Sequence, residues 1–389
     1  MKSLDAFAQK KLAALADKGL QRKILDTDRS KDGGILRKGR ELISFCCNDY
    51  LNFNHHPKIK HAAKQAIKQY GTGAGASRLI TGNHPLISQL EQRLAQIKGS
   101  EDACIFTAGY MANIGIIPAL ANEQDIIFID ELSHACLRAG SEMSGAHMIF
   151  FRHNDMAHLQ ELMEQHRPDY QKALILTDGV FSMDGDIAPL DRLGCLAKEY
   201  DGWLMSDDAH GLGVIGGGRG SRYIFDPLPD IALQMGTLSK AIGSFGGYLC
   251  ASKPVIDLIK TRARSLIYTT ALPPANAAAA LAALDIIDSD PGYCRRPMDN
   301  ALFFTRTLGL PDAQSPIVPV IIGDTAQTMA FAAALEEDGF LVTGIRPPTV
   351  AEGTGRLRFT FSARHTQKQI LALVASLKKH DILTAGNTA

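Results

Sequence analysis

The sequence lacks net charge, a long apolar run and a paired-cysteine motif, and each absence argues against a class of protein. The 389 residues include 41 basic and 41 acidic side chains, so the chain as a whole has no electrostatic preference for nucleic acid or an anionic membrane. No stretch approaches the roughly 20 apolar residues that a transmembrane helix requires. Any anion that this protein binds must therefore be held at a local site.

The seven cysteines contain no C-x-x-C pair. An odd number without that spacing argues against a disulfide framework or a zinc ribbon, and it favours a reducing compartment. Cys46 and Cys47 are adjacent, and His134 is close to Cys136, but no second ligand pair stands at metal-site spacing. We therefore predict that the protein holds no metal.

The amino terminus scatters Lys, Asp and Gln among Leu and Ala at helical spacing. This pattern is typical of an amphipathic helix, and it lacks the continuous apolar core of a signal peptide. We therefore expect a soluble, cytoplasmic protein.

From residue 103 onward, short apolar runs alternate with longer helical patterns. Continuous apolar strands separated by helices predict a mainly parallel sheet that helices cover on both faces. The predicted strands are residues 103–107, 126–129, 148–151, 173–177, 203–206, 231–235 and 247–251. This order of elements predicts a large α/β domain.

A second, smaller α+β domain is predicted beyond the alanine-rich, helix-favouring run that starts at residue 275. It would contain strands at 317–322, 341–345 and 356–361, a helix near 326–338 and a final helix. We place an amino-terminal helix and extension over residues 1–50, the large domain over 51–280 and the small domain over 281–389.

Lys240 lies in a segment of small residues that directly follows the predicted strand 231–235. It should lie at the carboxyl end of the sheet, where open α/β sheets bind their ligands. Burial there lowers the pKa of a lysine and makes it a nucleophilic amine. The flanking hydroxyls of Thr237 and Ser239 could hold a phosphate, although the isolated pattern also fits a surface lysine at a helix start.

Another polar cluster, Asp207, Asp208 and His210, follows the strand at 203–206. Pyridoxal 5′-phosphate (PLP) acts as an electron sink only while its pyridine nitrogen is protonated, which requires a neighbouring carboxylate. Asp207 can supply that carboxylate, and His210 can hydrogen-bond the phenolic oxygen of the ring. Taken alone, an acidic pair after a strand is more often a helix cap or a metal ligand.

Together these two segments resemble a known pattern, since a strand ending in D-x-A-H precedes T-L-S-K-A by about 30 residues. This is similar to the attachment pattern of fold-type I PLP enzymes. Over nearly its full length the chain resembles the α-oxoamine synthases. The matching segments are NDYL at 48–51, GTGAGASR at 71–78, DELSHAC at 130–136, TDGVFSMDGD at 177–186, DDAHGLGVIG at 207–216 and IYTTALPP at 267–274.

The resemblance implies a large domain with a mainly parallel seven-stranded sheet, a small α+β carboxyl-terminal domain, PLP as the cofactor and a homodimer. It assigns covalent attachment of the cofactor to Lys240 and contact with the pyridine nitrogen to Asp207. His134 would stack on the ring, and both His210 and Ser182 would lie near the phenolic oxygen.

For the cofactor phosphate, the resemblance implies the backbone N–H groups of Gly109 and Tyr110, at a helix start that favours anions, and the hydroxyl of Thr237. Thr270 matches a position at which a second subunit reaches into the site.

For the substrates, Asn48 would lie beside the amino acid and Arg358 would bind its carboxylate with a planar fork. We expect Arg356 to lie on the opposite face of the strand and to be solvated. Arg22 aligns loosely with an arginine-rich stretch, so it is our candidate for binding a distal acyl carboxylate, and a solvated helix end is an equally good interpretation.

Several segments, among them HNDMAHL at 153–159, are most similar to members that condense L-alanine with a pimeloyl thioester carried by coenzyme A or acyl carrier protein. Asp178 stands where those members often carry Glu, and relatives that use glycine can carry Asp. The alternatives are another α-oxoamine synthase, such as a 2-amino-3-ketobutyrate ligase using glycine and acetyl-CoA, or a silent PLP-binding subunit.

The glycine-rich stretch 71–76 follows a helical pattern, so we do not predict a dinucleotide site.

Overall fold

The amino-terminal segment forms one helix and three short strands in the computed structural model, which describes residues 2–17, 19–29 and 34–385. These elements are α1 (Lys2–Asp17), β1 (Asp28–Arg29), β2 (Gly34–Arg37) and β3 (Arg40–Ser44). The predicted amino-terminal helix is present, and it buries none of its residues against the rest of the described chain. The next two elements are α2 (Pro57–Tyr70) and α3 (Pro85–Lys98).

A seven-stranded sheet forms the centre of the molecule, as predicted. Its strands and the helices between them are β4 (Asp102–Phe106), α4 (Gly109–Leu120), β5 (Ile126–Asp130), α5 (Ala135–Ser144), β6 (His147–Phe151), α6 (Met156–His166), β7 (Ala173–Asp178), α7 (Leu190–Glu199), β8 (Gly202–Asp207), β9 (Leu233–Thr237) and β10 (Gly247–Ala251). The spatial order is β4-β10-β9-β8-β7-β5-β6, and only β10 runs antiparallel to its neighbours.

The remaining chain builds connecting helices and a small three-stranded sheet. Its elements are α8 (Lys253–Arg262), α9 (Arg264–Ile267), α10 (Pro274–Ser289), α11 (Pro291–Leu308), β11 (Ile317–Gly323), α12 (Thr325–Glu337), β12 (Phe340–Leu341), β13 (Thr343–Ile345), β14 (Gly355–Thr360), α13 (Gln367–Lys379) and α14 (Ile382–Ala385). The small sheet has the order β11-β14-β13. Phe304, Phe359, Phe361 and Leu373 are buried in a separate hydrophobic core there.

The predicted strand 341–345 is in fact two strands in two sheets. β12 pairs in parallel with β3, where Phe340 is opposite Ile43, whereas β13 pairs with β14. An apolar run indicates a strand but not its partner, so this pairing of the amino-terminal segment could not be inferred. The domain boundaries at residues 50 and 280 stay a prediction.

Two features of this fold determine where chemistry can occur. The parallel strands β5, β7, β8 and β9 end at the same edge of the sheet, and three of them end in an aspartate. Polar side chains thus converge at the carboxyl edge, where ligands bind in open α/β sheets.

No helix in the described ranges has the length and apolar character that a membrane crossing requires.

Candidate active site

A cavity of about 230 Å³ opens at the carboxyl edge of the large sheet. Seven of the residues predicted from the sequence line it, namely Gly109, Tyr110, His134, Asp207, His210, Thr237 and Lys240. They arrive from the ends of β8 and β9, from the start of α4 and from the segments that follow β5 and β9. The sheet topology therefore brings together residues that are up to 131 positions apart, from Gly109 to Lys240.

Lys240 lies in the segment after β9, and its side chain reaches into this cavity. Burial lowers the pKa of its amine, while the carboxylates of Asp207 and Asp178 partly oppose that shift. A lowered pKa increases the fraction of neutral amine near neutral pH, and the neutral amine is the nucleophilic form.

His210 connects Lys240 to a buried tyrosine. Its Nε2 atom lies 2.8 Å from Nζ of Lys240, and its Nδ1 atom lies 2.7 Å from the hydroxyl oxygen of Tyr50. Burial, followed by the nearby charge of Lys240, holds the pKa of His210 well below its usual range. The imidazole is therefore neutral, and it can accept a hydrogen bond at one nitrogen and donate one at the other.

The same hydrogen-bonded chain extends to the small sheet. The hydroxyl of Tyr50 donates to the side-chain oxygen of Asn48 at 3.3 Å, and the guanidinium of Arg358 on β14 donates to that oxygen at 3.4 Å. Arg358 and Lys240 are thus the two ends of one chain of contacts. A shift of β14 would be transmitted to the lysine through three intervening side chains.

Asp207 is held by two donors. The side-chain amide of Asn113 donates to Oδ2 at 2.8 Å, and the backbone N–H of Ala209 donates to Oδ1 at 3.0 Å. Both carboxylate oxygens are therefore oriented before any ligand arrives. This carboxylate is well placed to contact a cationic ring nitrogen in the cavity.

The neighbouring carboxylate, Asp208, has a different environment. It accepts from Nζ of Lys98 at 2.8 Å and from the backbone N–H of Ser221. Only 1% of the Lys98 side chain and 4% of the Asp208 side chain are exposed. Asp208 thus belongs to a buried ion pair beneath the site, and it does not line the cavity.

His134 lines the cavity, and one of its ring nitrogens is already hydrogen-bonded within the chain. The backbone N–H of Cys136 donates to its Nδ1 atom at 3.2 Å, and burial lowers the pKa of the ring. The neutral imidazole therefore carries its proton on Nε2. That N–H can therefore donate to an acceptor on a ligand in the cavity.

Asp178 ends β7 directly beside Asp207 in the strand register. Burial, followed by repulsion from the Asp207 carboxylate, raises the pKa of Asp178 well above its usual range. One of its oxygens accepts from the backbone N–H of His134 at 3.1 Å. Asp178 thereby positions the backbone of His134.

The amino terminus of α4 and two hydroxyls form a candidate phosphate site. Gly109 is the first residue of α4, and a Cβ atom built there would lie 3.3 Å from that of Thr237. The Thr237 and Ser239 hydroxyl oxygens are 2.6 Å apart. Helix amino termini attract anions because their first N–H groups lack partners and the helix dipole is positive there.

Five predicted residues do not line this cavity: Asn48, Ser182, Thr270, Arg22 and Arg358. Asn48 and Arg358 connect to Lys240 through the hydrogen bonds described above, and the carbonyl oxygen of Ser182 accepts from Nε of Arg358. Thr270 is exposed, and its backbone bridges to Ser77. Arg22 is exposed in the extended segment after α1. Within one chain, therefore, neither Thr270 nor Arg22 reaches the site.

The expectation that Arg356 is solvated was wrong. Residues two apart in a strand share a face, and Arg356 is buried beside Arg358 on β14 with 7% of its surface exposed. Its guanidinium contacts the carboxylate of Asp184. Both arginines therefore hold the loop that follows β7, one through Asp184 and the other through Ser182.

Sequence reasoning missed three residues of the site: Tyr50, Asn113 and Cys136. Tyr50 stands two residues after Asn48, within a segment already singled out, so that proximity could have drawn attention to it. Asn113 donates both to Asp207 and to the thiol of Cys136. It stands in a helix of otherwise ordinary composition, and we find no local sequence signal that marks it.

A larger cavity of about 850 Å³ lies elsewhere, between the loop Gly216–Gly218 and α11. Its lining is mainly apolar, and it includes no lysine and no histidine. We assign the site to the smaller cavity because a lysine, one aspartate and two imidazoles with perturbed pKa values converge there beside a second aspartate.

Comparison with known proteins agrees with this fold and site. Residues 40–377 match the family model described as aminotransferase class I and II, so the chain belongs to that family. A solved serine palmitoyltransferase from S. paucimobilis, with a bound PLP–myriocin aldimine, superposes with a TM-score of 0.89 at 28% identity, covering 98% of this chain and 99% of that one.

Within this family, the chain is one of the 8-amino-7-oxononanoate synthase group. It is 61% identical to the 8-amino-7-oxononanoate synthase of Beijerinckia indica subsp. indica, over 96% of this chain and 97% of the relative. The solved 8-amino-7-oxononanoate synthase of Francisella tularensis has a TM-score of 0.75 at 27% identity, covering 88% of this chain and 98% of that one. The predicted α-oxoamine synthase resemblance is thereby confirmed.

PLP is the cofactor of this family, as predicted, and the residues of the cavity fit it. The group requires an amine that can bond its aldehyde, an anion beside its ring nitrogen and donors for its phosphate. Lys240, Asp207 and the start of α4 with Thr237 supply these three chemistries around a single cavity.

Proposed function

We propose that this protein condenses L-alanine with a pimeloyl thioester to give 8-amino-7-oxononanoate, carbon dioxide and the free thiol, a step of biotin synthesis. The observation that carries the proposal is the cavity in which Lys240 and Asp207 converge, in a chain whose relatives bear that enzyme name. We propose coenzyme A or acyl carrier protein as the carrier of the pimeloyl group.

When bound, PLP would withdraw electrons from the amino acid and acidify its Cα–H bond. In this proposal Asp207 contacts the ring nitrogen and maintains its positive charge, and His210 and Ser182 face the phenolic oxygen. His134 stacks on the ring, and the N–H groups of Gly109 and Tyr110 hold the phosphate together with Thr237 and with Thr270 of a second subunit.

Arg358 would bind the carboxylate of L-alanine, beside Asn48, and thereby orient the Cα–H bond. Lys240, whose pKa is lowered by burial, would accept that proton and later return a proton to the product. The Nε2–H of His134 would donate to the thioester carbonyl, where negative charge develops during attack. Expulsion of the thiol and loss of carbon dioxide complete the reaction.

We also propose a homodimer in the cytoplasm. The dimer would bring Thr270 from a second subunit to the phosphate, a role that the exposed Thr270 of one chain does not fill. The cytoplasm suits seven cysteines that are all free in the structure, since thiols persist in a reducing compartment.

Purified protein incubated with PLP, L-alanine and pimeloyl-CoA should form 8-amino-7-oxononanoate, detected by mass spectrometry. A parallel reaction with glycine and acetyl-CoA tests the nearest alternative, a 2-amino-3-ketobutyrate ligase. Faster turnover of the second pair would refute the proposed substrates. Absorbance of bound PLP without turnover of either pair would instead indicate a silent subunit.

Replacing Arg358 with alanine should raise the KM for L-alanine about 30-fold or more. The truncation removes a charged contact to a carboxylate, which typically costs about 2–5 kcal/mol. Arg358→Lys should recover part of this loss, because it retains the charge but not the planar fork. Steady-state kinetics with each substrate varied in turn will measure both values. An equal rise in KM for the thioester would show that the small sheet had been disturbed instead.

Arg22 is our proposed contact for the distal carboxylate of the pimeloyl chain. If so, Arg22→Ala should lower kcat/KM for pimeloyl-CoA by about tenfold, the change that 1.4 kcal/mol produces. It should leave turnover of a neutral acyl-CoA of similar length unchanged, and comparison of the two donors measures this selectivity. Equal losses with both donors would assign Arg22 to folding or to coenzyme binding.

A further inference from the structure

Charge is distributed unevenly in this neutral chain. From Tyr50 to Leu90, a stretch of 41 residues, there is no acidic side chain. The same stretch contains five basic residues, of which Arg78 pairs with Glu91. The other four, Lys58, Lys60, Lys64 and Lys68, lie on the single helix α2.

All four lysines of α2 face outward. The inner face of the helix buries Ile59 and Ala66, and α2 packs against α10, whereas the four lysines are exposed. The lysines that form ion pairs in the described part of the chain belong to other segments: Lys98, Lys172, Lys253, Lys260 and Lys379. Among the described residues, therefore, no carboxylate forms an ion pair with the lysines on the outer face of α2.

This arrangement is unfavourable for the helix itself. Lys60, Lys64 and Lys68 stand four residues apart, so like charges repeat about every 6 Å along one stripe, and each such pair destabilises a helix. Lys58 and Lys60 also lie in the first turn, where the helix dipole disfavours cations, and no acidic residue offsets them there. An external anionic partner would relieve both costs.

The α2 face also lies close to the active site along the chain. α2 begins seven residues after Tyr50, so at most about 25 Å of extended chain separates them, and Tyr50 contacts His210. An open cavity of about 380 Å³ lies on this face, lined by His55, Pro57, Lys60, His61 and Lys64.

We propose that the outer face of α2 is the docking surface for an acidic acyl carrier protein that delivers the pimeloyl thioester. The inference rests on the proposed function, and it selects one of the two carriers named there. A carrier protein with an acidic surface would complement a stripe about 12 Å long between Lys60 and Lys68. The stripe would attract such a carrier from solution and orient it on α2, because complementary charge accelerates association.

The test compares two double charge reversals of equal size. Lys60→Glu/Lys64→Glu alters the proposed surface, and Lys198→Glu/Lys368→Glu alters exposed lysines on α7 and α13. Each protein is assayed with the pimeloyl thioester of an acyl carrier protein and with pimeloyl-CoA. We expect kcat/KM for the carrier-protein thioester to fall by about tenfold or more in the α2 variant, with no change for pimeloyl-CoA and no change in the control.

Binding is measured separately from turnover. A fluorescently labelled acyl carrier protein is titrated with each variant, and the anisotropy gives Kd. Kd should rise about tenfold or more in the α2 variant alone, and wild-type binding should weaken as salt is added. If the unmodified protein turns over neither donor, the proposed function fails, whereas this titration still decides the docking surface.

Four results would overturn the proposal. Equal losses with both donors would place the effect in the active site, and equal losses in both variants would reflect net charge alone. Equally tight binding of a DNA duplex would show a nonspecific polyanion surface. A changed sedimentation mass in the α2 variant would show that the face joins two copies of this chain.

Discussion

Lys240→Ala should abolish turnover and covalent attachment of PLP, with a loss in kcat of at least about 10³-fold. Lys240 is the only lysine lining the cavity of the described chain, so no other amine there can replace it. It is also the group that we propose accepts the Cα proton, so alanine would remove both functions together. Weak noncovalent binding of PLP should remain, since the phosphate donors are unchanged.

Borohydride reduction followed by peptide mapping measures the attachment directly. In the wild-type protein the pyridoxyl label should lie on Lys240, and it should be missing from Lys240→Ala. A matched change at an exposed lysine, Lys368→Ala, should leave both label and turnover intact. A label on any other lysine of the wild-type protein would refute this assignment.

Asp207→Asn should leave PLP bound but lower kcat by at least about tenfold, which corresponds to about 1.4 kcal/mol in the barrier. A neutral amide cannot hold the pyridine nitrogen in its protonated form, so the ring loses much of its capacity to accept electrons. The amide also disrupts the hydrogen bonding, since Asp207 accepts from Asn113 at one oxygen and from Ala209 at the other. Stopped-flow absorbance and steady-state rates measure the effect.

Asp208→Asn is the control for that experiment, because it changes the adjacent carboxylate in the same way. Asp208 pairs with buried Lys98, and removing one partner of a buried ion pair typically costs about 3–5 kcal/mol of stability. Denaturant unfolding should therefore show a lower free energy of unfolding for Asp208→Asn, whereas steady-state kinetics should show a lower kcat for Asp207→Asn. A wild-type rate in Asp207→Asn would exclude it as the partner of the ring nitrogen.

The main sheet was predictable because strands such as β5, β7 and β10 are buried along their whole length and their sequences are continuous apolar runs. The convergence of polar residues at strand ends, such as Asp207 and Thr237, was predictable because the carboxyl edge of a parallel sheet gathers them. The short strands of the amino-terminal segment were not predicted. β1 has only two residues, both exposed, so it offers no hydrophobic periodicity to detect.

Local sequence patterns could not predict contacts between segments that are distant in the chain. The bridge from Tyr50 to His210 joins residues 160 positions apart, and Asn113 reaches Asp207 from a helix. Arg356 shows a different limit, because its charge suggested solvation although its position in the strand placed it beside buried Arg358. A charge indicates exposure only when the fold offers no counterion, and the partly exposed Asp184 provides one here.

The pairing of β3 with β12 can form only late in synthesis. Ile43 cannot pair until Phe340 has been synthesised. The two residues are nearly 300 positions apart, which a ribosome covers in about 15 to 60 s at about 5–20 residues per second. Throughout that time one edge of β3 lacks its partner, and unpaired strand edges promote aggregation. Arg358 emerges later still, so the contact with Asn48 is among the last to form. A nascent chain can thus carry a complete large sheet with Lys240 in place, while it still lacks the residue proposed to bind the amino acid.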